Sequence, residues 1–126
     1  RVGGCLAQKL KGADAFAEIT EAAGVNGDSS FTRESYDAAA LIALAMMAGG
    51  EATSEAVAAN VMDVANAPGE KILPGELGKA LQILADGGEV DYDGATAVEL
   101  IGPGEASGTY RYYEIVDGDY STVEFK

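Results

Sequence analysis

The acidic run EVDYDGATAVEL, Glu89 to Leu100, comes nearest to an ion-binding pattern in this chain. With Gly94 at the glycine position of an EF-hand loop, positions one, three and five are Glu89, Asp91 and Asp93. The twelfth position is then Leu100, where a bidentate Glu is required, and Glu99 falls one residue early. The run therefore reads as an Asp-rich turn leading into a strand. Histidine is absent, which removes the commonest general base and the commonest zinc ligand. Carboxylates are plentiful, but no two are marked as a working acid–base pair. GELGK, Gly75 to Lys79, lacks the Gly-Lys-Ser/Thr ending of a phosphate loop. Cys5 has no second cysteine to pair with and reads as a small apolar side chain in or near a strand. The sequence is read as non-enzymatic, with no cofactor.

The other residues with chemical reach lie in Phe31 to Asp37, FTRESYD. Phe31 offers an aromatic face, for a ligand or for the core. Glu34 offers a carboxylate, for a ligand ammonium or for solvent at a helix entry. Tyr36 reads as an amphipathic wedge with a polar tip, and Asp37 as a charge favoured at a helix start. The net charge of −13, from 8 basic and 21 acidic residues, excludes the basic footprint that nucleic-acid binding needs.

Four helices position these residues. Ala13 to Ala23 forms the first, with Phe16, Ile19 and Ala23 on one face and Gly24 as its stop. Arg1 to Gly12 reads as a strand remnant followed by a loop. Ser35 caps the second helix, which is apolar nearly all round through Leu41, Ile42, Leu44, Met46 and Met47, and so expects burial on most sides. Gly49 and Gly50 end it. Thr53 caps the third, running to about Ala65 with a stripe of Val57, Val61 and Val64. Pro74 suits the first turn of the fourth, whose buried side is Leu77, Leu81 and Leu84. Ala97 to Ile101 is a short strand candidate. No apolar run reaches the ~18 residues that a membrane span needs.

The chain closes with TYRYYEIVDGDYSTVEF, a hairpin turning at Asp117-Gly118 in type I′ geometry. That turn pairs Val116 with Asp119, Glu114 with Ser121, Tyr112 with Val123 and Tyr110 with Phe125 on one face. On the other it pairs Ile115 with Tyr120, Tyr113 with Thr122 and Arg111 with Glu124. The apolar cluster is thus expected at Tyr110, Tyr112, Val123 and Phe125. A lone hairpin is marginal in water, so the chain is expected to self-associate near it.

FTRESYDAAALIALAMM, DYDGAT (Asp91 to Thr96) and the closing hairpin stand in an order that resembles the C-terminal portion of type I periplasmic binding proteins. It is most similar to the branched-chain amino-acid type of ABC-transporter substrate-binding protein. The resemblance covers roughly Ala13 to Lys126 and implies a piece of a longer, two-lobed, periplasmic α/β protein. It places 1–108 mainly in one lobe and the hairpin, 109–126, in the other. It implies capture of an amino acid or similar small amphipathic solute between the lobes and delivery to an ABC permease in the inner membrane. Phe31 matches an aromatic position that contacts ligand in some members, and Glu34 and Tyr36 border the same cleft. Arg33-Glu34-Ser35 replaces the small residue usual before the Tyr-Asp pair. Two alternatives stand beside the importer: a ligand-sensing domain of the same fold, and an acidic helical interaction module.

Overall fold

The computed structural model describes residues 3–102, 104–108 and 111–125. Helix α1 spans Gly3–Ala23, α2 Thr32–Gly49, α3 Ser54–Ala65 and α4 Leu77–Ala85. The strands are β1 Glu70–Ile72, β2 Val90–Tyr92, β3 Leu100–Gly102, β4 Glu105–Ala106, β5 Arg111–Val116 and β6 Asp119–Phe125. They form three separate two-stranded sheets: β1 with β2 in parallel, β3 with β4 and β5 with β6 antiparallel.

The core lies where α2, α3 and α4 meet the β1–β2 pair. Leu44, Val64, Ile72, Val90 and Tyr92 are almost wholly enclosed there. Val57, Val61, Leu77, Leu81 and Leu84 close around them as partly buried side chains, in the stripes expected for α3 and α4. The helix between β1 and β2 is α4, the crossover that a parallel pair requires.

Several expectations are corrected. The segment before Ala13 is helical, continuous with α1, so Cys5 sits on a helix and not in a strand; its side chain lies outside the described residues. Leu6 to Leu10 contains strong helix formers, and Gly12 does not break the helix. It is buried because α1 passes hard against the backbone of Gly94, where a Cβ would collide with the carbonyl oxygen. Ala23 is exposed. Helix α2 begins at Thr32, before Ser35: the Thr32 N–H bonds to the Ser29 carbonyl, and the first helical bond runs from Ser35 N–H to the Phe31 carbonyl. Only one side of α2 is buried, through Asp37, Ala40, Leu41, Leu44 and Ala45, because α3 and α4 cover it from one direction; Ile42 and Met47 stay exposed. Pro74 is buried in the turn before α4, which starts three residues later.

Other local signals hold. Thr53 caps α3, its Oγ1 accepting from Ala56 N–H at 3.2 Å. Gly50, at φ 70°, turns the chain out of α2. Asp117 and Gly118 both have positive φ, 54° and 92°, as a type I′ turn demands. The hairpin register follows that turn from Val116↔Asp119 to Tyr113↔Thr122. A bulge then shifts it, giving Tyr112↔Glu124 and Arg111↔Phe125. The expected pairs Tyr112–Val123 and Arg111–Glu124 are therefore displaced; Tyr110 lies outside the described residues.

Among the described residues no single helix is long and apolar enough to cross a membrane.

Candidate functional site

Phe31 is the outstanding residue of the 31–37 segment. It holds φ 65°, ψ 8°, a left-handed conformation uncommon for a bulky side chain, and its side chain is 76% exposed. The conformation redirects the chain from the Ser29–Ser30 turn into α2. The ring therefore projects at the mouth of the helix and is not core packing within this chain. Beside it is a depression of about 230 Å³ lined by Gly27, Asp28, Ser29, Ser30, Arg33 and Glu34 as well as Phe31 itself. Arg33 Nη2 stands 3.3 Å from Asp28 Oδ1, so the one cation of this wall is engaged by its own loop. Glu34 is exposed in the first turn of α2 and, among the described residues, has no ion-pair partner.

Tyr36 faces the other way. Its ring meets Phe16 edge to face at 5.2 Å, and its hydroxyl accepts from the Gly75 N–H at 3.2 Å. It ties α1, α2 and the turn before α4 together, which leaves it part of the wall's support. Phe31 and Glu34 thus share one depression, and Tyr36 is not among its lining residues.

The residue whose role the sequence concealed is Asp37. It is 2% exposed. Its Oδ1 accepts from the Tyr92 hydroxyl at 2.9 Å and from Ala95 N–H at 2.8 Å. Its Oδ2 accepts from Thr96 N–H at 2.8 Å and Thr96 Oγ1 at 2.7 Å. Asp37 is therefore not a helix-start charge. It is a buried carboxylate that gathers the 92–96 turn onto α2. Gly94 sits over it at φ 62°, and a Cβ there would stand 2.5 Å from Asp37 Oδ1. The glycine is needed both for the backbone angle and for the close approach. Burial, then the Asp37 charge and hydrogen bond, push the Tyr92 hydroxyl far above its ordinary pKa of 10.0.

The acidic run itself is used internally. Lys71 on β1 reaches Asp91 at 3.2 Å and Asp93 at 3.7 Å. Burial draws the Lys71 pKa down, but the Asp91 hydrogen bond and the charges of both carboxylates outweigh it, so the net shift is upward. Among the described residues no group of three or more His, Cys, Asp or Glu could hold a metal ion. Asn66 provides a second tie between distant segments. Its side chain both donates to the Leu100 carbonyl at 3.0 Å and accepts from the Leu100 N–H at 2.9 Å.

Over 95 residues the chain is 35% identical to the chemotactic signal transduction system substrate-binding protein BasB of Halobacterium salinarum. The match takes in 75% of this chain and 23% of that protein, so the chain spans about a quarter of the length of the curated relative it matches. The likeness is to a solute-binding protein, in line with the coarse form of the resemblance seen in the sequence. No protein-family model matches the chain, and no solved structure does so at a significant level.

Proposed function

We propose that this chain is part of a solute-binding protein that captures a small amphipathic solute, an amino acid or a related molecule, in a cleft between two lobes. The observation that carries the reading is the 35% identity to a substrate-binding protein over most of this chain. Phe31 and Glu34 would form one wall of the cleft. The exposed ring offers apolar contact, and the unpaired carboxylate beside it offers a partner for a ligand ammonium. Capture would close the lobes, and the closed form would be the one a membrane partner recognises.

Two partners fit this mechanism. Delivery to an ABC permease from the periplasmic side follows from the resemblance to the branched-chain amino-acid importers. Reporting to a chemotactic signal transduction system is favoured by the relative, which is the substrate-binding protein of such a system. Titration calorimetry of the longer protein against a panel of amino acids, amides and aromatic acids tests the capture. Deleting the gene separates the outputs: loss of solute uptake marks the importer, and loss of taxis with intact uptake marks the sensor. Silence across the panel would leave the acidic interaction module as the better account.

A further inference from the structure

Among the described residues, Arg33 is the only cation lining either of two depressions that meet at the loop before α2. One holds Phe31 and Glu34. The other, of about 250 Å³, is walled by Thr20, Glu21 and Val25. Gly27, Asp28 and Arg33 line both. The guanidinium is held loosely there. Its one contact, Nη2 to Asp28 Oδ1, is 3.3 Å long, beyond the ~2.7–2.9 Å of a strong charged pair. The two side chains are 38% and 90% exposed, and a pair so exposed contributes little to stability. A guanidinium carries its N–H donors in a planar fork. Among the described residues the other donors of Arg33 have no acceptor. Asp28 is placed by its backbone, its N–H donating to Asn26 Oδ1 at 3.0 Å, so its carboxylate can leave Arg33 without disturbing the loop.

We propose that Arg33 exchanges Asp28 for the carboxylate of the solute, so that this wall selects a zwitterion whose carboxylate and ammonium are close neighbours. The inference rests on the solute-capture reading above. Phe31, Arg33 and Glu34 line one depression, which therefore offers an aromatic face, a guanidinium fork and a free carboxylate together. Arg33 and Glu34 are adjacent in the first turn of α2, which suits charges carried on neighbouring atoms of a solute. The exchange replaces one long, exposed contact by a bidentate pair, the stronger geometry for a guanidinium. Charge decides what is excluded. Asp28, Glu34 and Glu21 outnumber the one cation, on a chain of net charge −13, so a carboxylic acid without an ammonium is repelled. An amine without a carboxylate leaves Arg33 on Asp28 and forgoes the fork. Each depression is smaller than the ~300–1,000 Å³ of a complete ligand pocket. The wall accordingly grips the charged end of the solute, and the rest of the solute reaches the opposite wall.

Titration calorimetry of the longer protein tests this, with each proteinogenic amino acid beside its amide, which keeps the ammonium but not the carboxylate, and beside its deaminated acid. An amino acid that binds should bind about tenfold or more tighter than its amide, and its deaminated acid should give no measurable heat. Arg33→Gln should weaken the amino acid by about tenfold and the amide by less than about twofold, with the melting temperature of the unliganded protein unchanged. Asp28→Asn removes the competing carboxylate and should tighten the amino acid by about two- to fivefold. If Arg33→Gln weakens acid and amide alike, or neither, while Phe31→Ala still weakens binding, the role of Arg33 falls and the capture reading stands. A lowered melting temperature in Arg33→Gln with unchanged affinity would give the fork to a carboxylate elsewhere in the longer protein, and also overturns the proposal. Absence of binding by every amino acid would overturn both.

Discussion

Removing the Asp37 carboxylate should be among the most damaging single changes open to this chain. Asp37→Ala deletes four hydrogen bonds to a charged acceptor and leaves the Tyr92 hydroxyl and the Ala95 N–H buried with no acceptor. Hydrogen bonds to charged groups are each worth about 1.5–3 kcal/mol net, but four on one carboxylate are not additive. Relief of the cost of burying the charge offsets part of the loss. A net destabilisation of about 4 kcal/mol results, comparable with breaking a buried ion pair and a large share of the ~5–15 kcal/mol typical of a domain. Asp37→Asn keeps an oxygen for Tyr92 and Ala95 but sets an amide against the Thr96 N–H; it should cost about 2 kcal/mol. Thr96→Val removes only the hydroxyl bond, at about 1 kcal/mol. Urea unfolding is the assay. With a slope of about 1–3 kcal/mol/M, Asp37→Ala should lower the midpoint by about 2 M. A loss under about 1 kcal/mol at unchanged slope, or an Asn variant as damaged as the Ala variant, would refute the role assigned to this residue.

Tyr92 gives a pH dependence with a definite sign. Its folded-state pKa is raised, so the folded chain holds the phenolic proton after the unfolded chain has released it. Its contribution is complete below about pH 10 and is lost above it, by up to about 1.4 kcal/mol per pH unit. Tyr92→Phe should flatten that alkaline limb in urea melts taken from pH 8 to about pH 11, at the cost of its hydrogen bond at neutral pH. Phe31→Gly should raise unfolding stability by about 0.5–1 kcal/mol, because φ 65° strains any residue with a Cβ and the exposed ring contributes little packing; a loss above 1 kcal/mol would give the ring a structural role. Because like charges predominate, raising KCl from about 0.1 to about 1 M should raise the urea midpoint; a fall would show that attractive ion pairs such as Lys71–Asp91 dominate.

What the sequence disclosed were features decided within a few residues. Thr53 as a cap, Gly50 as a stop and Asp117-Gly118 as a hairpin turn each act on backbone two or three positions away, and each stands where local chemistry puts it. What it concealed depends on distance or brevity. Strands β1 and β2 are three residues long, too short for alternation to register, although Ile72, Val90 and Tyr92 are core residues. Asp37 acts on donors 55 to 59 residues away, and nothing adjacent marks it as buried. The helical course of the segment up to Gly12 was hidden too, because the close approach of Gly12 to Gly94 cannot be read from either segment alone. At the candidate site, Phe31 and Glu34 were readable as residue types with chemical reach. The left-handed backbone that exposes the ring was not, because phenylalanine rarely adopts it.

The central claim, solute capture with Phe31 on the wall, is tested most directly by titration calorimetry of the longer protein against the amino-acid panel, wild type beside Phe31→Ala. The account predicts a solute bound at micromolar affinity or tighter. It also predicts a loss of at least ~1 kcal/mol, about fivefold or more, in the variant, with the melting temperature of the unliganded protein unchanged. Unchanged affinity with a lowered melting temperature, or no binding of any solute in the panel, would contradict it.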